Sequence, residues 1–255
     1  MLILYQALYR EGFYWKQLHH PNMYPFLGLS IEPFSDGRPC LVSPWSNFGE
    51  VDKFLSRYPE HDRLKIVEDV AEGLYYLHNR DPPFVHGDLK TGSIMIDIES
   101  VRPCITDFGI GKHFQSFTAT LQTSRPKGTA QWMAPEVLYN QEQDYSKVRN
   151  PSSDMYSFAC VCLEIYTGRA PWYHERVETT VILNVIGGKR PPHPDGVPDK
   201  IWTIITSCWR QEPGSRMRIA EVREALRSCR AEPVREMLAN APVAGNDKGT
   251  SKHAN

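Results

Sequence analysis

Apolar positions along the chain switch between two periods, and the switches mark out the elements. Residues 2–20 carry Leu4, Leu8, Tyr14 or Trp15, and Leu18 near helical spacing, which predicts an amphipathic helix ended by Pro21 and Asn22. Two short apolar runs, 26–32 and 38–44, flank Asp36-Gly37 and predict a hairpin. Helical patterns return at 50–57 and 61–80, the second placing Leu64, Val67, Val70, Ala71, Leu74 and Leu77 on one face. Short strands are predicted at 94–97 and 103–106. Residues 108–133, rich in Thr, Ser and Gly with little periodicity, read as a functional loop. From 134 onward the pattern is mostly helical, at 134–139, 152–168, 175–188, 198–209 and 218–229, with a proline-rich ordered connector over 189–198. Past Cys229 apolar density falls, and 231–255 is expected to be disordered. No internal repeat interrupts this order.

Composition narrows the class. A chain of 255 residues with 41% hydrophobic and 23% charged residues can bury a core as one domain or two closely packed lobes. A net charge of −1 argues against nucleic acid or an anionic membrane as a partner drawn in by bulk charge. Cysteines at 40, 104, 160, 162, 208 and 229 form no Cys-x-x-Cys pair, so they are expected as reduced core thiols rather than a metal site. The opening Met1-Leu2-Ile3-Leu4-Tyr5 lacks a basic start and breaks at Gln6, unlike a signal peptide, and no stretch is long enough to span a bilayer. The expectation is a soluble, cytoplasmic protein.

Candidate chemistry lies in two loops. Asp88, in His86-Gly87-Asp88-Leu89-Lys90, and Asp107, in Asp107-Phe108-Gly109, each sit beside a predicted short strand, with a lysine two positions after the first. Either aspartate alone reads as a solvated turn residue. Brought together by a hairpin, two carboxylates and a lysine suit a polyanion with magnesium, a hard cation that takes one or two carboxylates and completes its shell with phosphate and water. Phosphoryl transfer needs such positioning and charge neutralisation and little else.

These two motifs, followed by Ala134-Pro135-Glu136, resemble in order and spacing the catalytic loop, metal-binding loop and activation-segment end of the protein kinase family. The resemblance runs from the first helix to about residue 229. It implies an α+β, protein-kinase-like fold: a mainly helical large lobe over 46–230, and an incomplete small β lobe over 1–45 with the family's αC helix and hinge-side strands. It further implies ATP and Mg2+ as cofactors and a protein substrate. Asp88 matches the aspartate that accepts the substrate hydroxyl proton, Lys90 the lysine beside the γ-phosphate, and Asp107 the metal-binding aspartate. Glu11 is similar to the helix glutamate that pairs with a strand lysine. Ser43, Pro44, Trp45 and Ser46 fall at the gatekeeper and adenine-binding hinge, where Pro44 would offer a carbonyl and Ser46 both backbone groups. Glu136 and Arg216 match a buried ion pair, and Asp154 matches the aspartate that holds the catalytic loop. Lys90, with Gly128-Thr129 ahead of Trp132-Met133-Ala134-Pro135-Glu136, resembles the tyrosine-kinase-like branch of serine/threonine kinases, with Thr129 bonding near Asp88 and Lys90.

Three departures qualify that resemblance. No glycine precedes Gly12 and no lysine precedes Lys16, so the glycine-rich loop and strand lysine are missing. Ser93 stands where the family has a metal-binding asparagine; its hydroxyl could ligate magnesium but is shorter. Gly87 replaces an arginine that pairs with a phosphorylated loop, which argues against switching by loop phosphorylation. Two readings follow: a serine/threonine kinase domain without its first strands, impaired as the chain stands, or a pseudokinase that binds partners. A non-kinase phosphotransferase fits poorly, because Glu136, Asp154 and Arg216 all match kinase positions.

Overall fold

The computed structural model describes residues 2–32, 39–108, 129–139 and 149–239. The turn expected at Asp36-Gly37, together with Gly109 and most of the segment 108–133, lies outside the described residues, as does 240–255. The first helix, α1 (Leu2–Trp15), is shorter than its apolar spacing predicts. Its end tightens into i→i+3 bonds, from Gln17 N–H to Tyr14 O and Leu18 N–H to Trp15 O, both at 3.0 Å. Trp15 is then pinned by its indole N–H, which donates to Tyr24 O at 2.6 Å.

Two strands follow, β1 (Gly28–Ser30) and β2 (Cys40–Val42), antiparallel with Gly28 opposite Val42 and Ser30 opposite Cys40. This helix and two-stranded sheet make a small, incomplete lobe. The rest is mainly helical. It comprises α2 (Val51–Arg57), α3 (Arg63–His78), the hairpin β3 (Ile94–Ile96) with β4 (Pro103–Ile105), and α4 (Pro135–Tyr139). Then come α5 (Pro151–Thr167), α6 (Glu178–Ile186), α7 (Asp199–Cys208) and α8 (Ile219–Ala239).

The two parts are joined at the segment 22–24, which lies parallel against β4. Ile105 N–H donates to Asn22 O and Tyr24 N–H to Ile105 O, each at 2.9 Å. Only a glycine on α3 allows this approach. A Cβ on Gly73 would stand 2.9 Å from Met23 Cε and 3.0 Å from Asn22 O. The face of α3 predicted from the sequence is the buried one, with Val67, Val70, Ala71, Leu74 and Leu77 fully enclosed.

Helix α5 is the pillar of the large lobe and is buried almost all round. Its start is written locally: Asn150 accepts from Ser153 N–H, Ser153 returns its hydroxyl to Asn150 N–H, and Pro151 occupies the first turn. Gly168, at φ 67°, closes its end. The last helix runs past the expected end near Cys229 to Ala239. The helix continues there through Pro233, although apolar density is low. Ion pairs from Arg223 to Glu72 at 2.7 Å and Arg230 to Glu68 at 2.9 Å strap α8 to α3. Among the described residues no helix is long and apolar enough to cross a membrane.

Candidate active site

One buried carboxylate organises the catalytic loop. Asp154, in the first turn of α5, accepts from the backbone N–H groups of His86 and Gly87, each at 2.8 Å, and pairs with His78 Nε2 at 2.9 Å. Burial alone would raise this carboxyl. The His78 bond, the nearby His86 ring and the Gly87 N–H outweigh it and hold Asp154 below the usual carboxylate range. His86 is enclosed beneath the loop. Its Nδ1 accepts from Asp88 N–H at 3.2 Å, so Nε2 carries the proton and donates to Thr106 O at 2.9 Å. Burial lowers its pKa against the pull of Asp154, Thr106, Asp88 and Asp107.

These shifts set a pH dependence. Below the ordinary histidine value of 6.5, the unfolded chain takes up a proton at residue 86 that the folded protein refuses. His86 therefore contributes stability that is complete above pH 6.5 and lost as pH falls. Asp154 acts in the same direction, but only below its ordinary value of 3.8. Glu164 on α5 has the opposite sign. Burial pushes it from 4.5 to about 7, so stability falls as pH rises through that window. The stability difference between wild type and His86→Asn, measured by urea denaturation, should therefore shrink as pH is lowered from 7 to 5; a constant difference would contradict the neutral, enclosed imidazole.

The clamp turns the loop so that Asp88 and Lys90 meet. Lys90 Nζ lies 3.1 Å from Asp88 Oδ2, and Asp88 is only 9% exposed. Thr129 lines the same recess, with Trp132, Met133 and Arg149. Asp107 follows Thr106 in a left-handed turn at φ 54°, a conformation that a short polar side chain tolerates, and its side chain is exposed. Phe108 is fully buried beneath it, its ring meeting Trp15 of α1 and Phe84 edge-on at 5.8 Å each. Glu11 lies one turn before Trp15, on the same face of α1, and is half-buried.

Two expected site segments already have partners in the structure. The Ser93 hydroxyl, expected as a metal ligand, is enclosed: it donates to Lys90 O at 2.8 Å and accepts from Lys90 N–H at 3.0 Å. The hydroxyl thus braces Lys90 through both of its backbone groups and has no exposed surface. At the hinge, the Pro44 carbonyl already accepts from Tyr24 Oη at 3.0 Å, which leaves one lone pair for adenine. Ser46 is fastened by its side chain, donating to Ile96 O at 2.7 Å and accepting from Gly49 N–H at 3.0 Å. Its backbone groups are thus held in place, and Ser43 before it is half-buried. Trp45 is 84% exposed.

Arg149 went unnoticed in the sequence. Gly87, where the resemblance expects an arginine, adopts φ 74°, and a Cβ there would lie 3.1 Å from Arg149 Cδ. The stem of a buried arginine from another segment therefore packs where a side chain at 87 would begin. Gly87→Ala should destabilise by ~1–2 kcal/mol for the left-handed backbone alone, with displacement of Arg149 in addition. An unchanged denaturation midpoint would show that neither constraint operates. Glu164 was also missed. A lone carboxylate late in an otherwise apolar stretch of α5 was the available signal, whereas nothing local marks Arg149.

The donor set fits a magnesium nucleotide in part. Asp107 offers an exposed, hard carboxylate of the kind magnesium prefers. Among the described residues no group of three or more His, Cys, Asp or Glu side chains could hold a metal unaided, so phosphate oxygens would complete the shell.

Comparison with known proteins gives the family. The family model described as protein tyrosine and serine/threonine kinase matches residues 4–226. The chain is 33% identical over 225 residues to the dual specificity protein kinase shkC of Dictyostelium discoideum, covering 86% of the chain and 42% of that protein. It is 32% identical over 225 residues to the serine/threonine-protein kinase CTR1 of Arabidopsis thaliana, covering 86% of the chain and 26% of that protein. A third relative, the probable serine/threonine-protein kinase drkD of Dictyostelium discoideum, is 33% identical over 211 residues, covering 81% of the chain and 15% of its own length. The chain thus spans less than half the length of each of these relatives.

Proposed function

The chain belongs to the protein tyrosine and serine/threonine kinase family, and from that membership we propose that it is the phosphotransfer domain of an ATP-dependent serine/threonine kinase of the tyrosine-kinase-like branch. The observation that carries this reading is the Asp88–Lys90 contact at 3.1 Å, held from below by Asp154 through two backbone N–H groups. A carboxylate positioned in this way can take the proton of a substrate serine or threonine hydroxyl. Lys90 supplies positive charge beside it, where charge develops in the transfer. Thr129, in the same recess, helps to hold the hydroxyl-bearing residue. Bound MgATP supplies the transferable phosphoryl group. Asp107 would hold the metal, Ser46 and the remaining lone pair of Pro44 the adenine, and Ser43 the back of that pocket. Glu11 is assigned to the phosphate side of the site on its helix face. We divide the chain into a small lobe over 1–45 and a large lobe over 46–230, with the protein substrate bound along the large lobe.

A second reading has its own support. Ser93, enclosed and committed to Lys90, removes one of the metal ligands the family uses, which favours a nucleotide-binding or scaffolding pseudokinase. One experiment separates the two. The protein carrying this chain is incubated with radiolabelled ATP, magnesium and a generic serine/threonine peptide mixture, and nucleotide affinity is measured in parallel. Magnesium-dependent labelling supports the enzyme. Nucleotide binding without labelling would support the second reading, and absence of both would remove the ATP site.

A further inference from the structure

The start of α5 holds residue 87 twice. Asp154 accepts from the Gly87 N–H at 2.8 Å, and Arg149 occupies the space that a side chain at 87 would enter. A Cβ there would lie 3.1 Å from Arg149 Cδ, 3.5 Å from Nη1 and 3.6 Å from Nε. The nearer half of the guanidinium thus stands beside the backbone of residue 87, an approach that a residue without a side chain leaves open. Arg149 directly precedes Asn150, whose backbone N–H and side chain both bond Ser153 in the first turn of α5. That box fixes where the arginine leaves the helix. We propose that Arg149 is a positioning residue of the phosphotransfer site, bringing to the catalytic loop from the start of α5 the cation that the resemblance expects at 87. This inference rests on the kinase reading for its functional meaning, whereas the pairing of Gly87 with Arg149 does not depend on catalysis.

Charge in the recess supports this exchange of positions. Among the described residues, its charged lining consists of two carboxylates, Asp88 and Asp154, and two cations, Lys90 and Arg149. Asp88 is 9% exposed, Asp154 1% and Arg149 8%, so three of these charges are largely withdrawn from water. An enclosed charge is tolerated only against an opposite one, and a guanidinium does not shed its proton. Lys90 meets Asp88 but keeps a partly solvated side chain, and His78 meets Asp154 from outside this lining. Without Arg149 the two carboxylates would face one cation across the recess. The arginine therefore has two separable parts. Its stem fills the space over Gly87, and its head balances the recess.

Two sets of variants test both parts. The first is a cycle of Gly87→Ala and Arg149→Ala, read as melting temperature. In the wild type, Gly87→Ala meets both the left-handed backbone, at φ 74°, and the Arg149 stem; in the Arg149→Ala background it meets the backbone alone. Its penalty should therefore be smaller in that background, and equal penalties would overturn the proposal. The second set reads catalysis. Arg149→Met keeps an unbranched stem and removes the charge, so kcat for peptide should fall by up to about 100-fold, as for a reacting group displaced by an ångström, with KM for ATP unchanged. Arg149→Lys keeps a charge and should recover part of the loss. A wild-type kcat in Arg149→Met, or equal rates in Arg149→Met and Arg149→Lys, would reduce the side chain to a filler of space and overturn the proposal. If Arg149→Ala does not fold, adding Gly87→Arg should restore folding by returning the cation to the loop, and failure to do so would overturn it equally. Unequal penalties in a protein without phosphotransfer activity would reject the kinase reading while leaving the pairing in place.

Discussion

Arg216→Ala should unfold the large lobe at a markedly lower temperature than the wild type, a loss of ~3–5 kcal/mol as for other broken buried pairs. All five N–H groups of this guanidinium are used. Two donate to Glu136 Oε1 and Oε2 at 2.7 Å each. The others donate to Arg210 O at 2.9 Å, Ser152 O at 2.9 Å and Gln211 O at 3.2 Å. The Arg216 side chain is fully buried and that of Glu136 is 19% exposed. Water can therefore reach the glutamate after the arginine is removed, which places the loss in the lower half of that range. It cannot reach the three carbonyls as readily, and these tie together the end of α7, the turn before α8 and the start of α5. For a domain of this size the loss corresponds to a fall in melting temperature on the order of 10 °C. Arg216→Lys, with three donors and no planar fork, should recover only part of it. A melting temperature within a degree of wild type for Arg216→Ala would show that the pair carries no net stability.

Asp88→Asn should abolish most phosphoryl transfer while leaving the fold and nucleotide affinity intact. The substitution keeps shape and an oxygen for Lys90, 3.1 Å away in the wild type, but removes the ability to accept a proton. General-base contributions of this kind amount to about 10²–10⁴-fold, so kcat should drop by that factor with KM for ATP little changed. The matched measurement is a peptide-phosphorylation time course alongside a thermal melt. A rate within a few-fold of wild type, with an unchanged melt, would remove Asp88 from the chemistry. A collapsed melt would instead assign it to the architecture of the loop.

Much of this site was legible because its residues lie close together in sequence. Asp88 and Lys90 are two positions apart, and their contact follows from one turn of chain. The helix expected at 152–168 was readable from its apolar pattern, and the structure adds the Asn150–Ser153 box and Gly168 as its start and stop. For Ser93, spacing shows which residue stands at the position but not that its hydroxyl already bonds both backbone groups of Lys90. The hinge repeats the lesson, since only the fold reveals that Tyr24 reaches the Pro44 carbonyl. The long last helix was underestimated because apolar density reports burial and does not by itself mark where a helix ends.

Family, element order over the described residues and the Glu136–Arg216 pair were determined by the sequence alone, through motifs that resemble the family and through apolar period, both properties of the linear chain. The contacts of Arg149 with Gly87, of Glu164 with Trp132, and of Asp154 with His78 were decided only by tertiary structure. Each joins segments remote in sequence, where the partner is selected by close packing and by the need to satisfy buried polar groups. Neither requirement leaves a periodic trace along the chain.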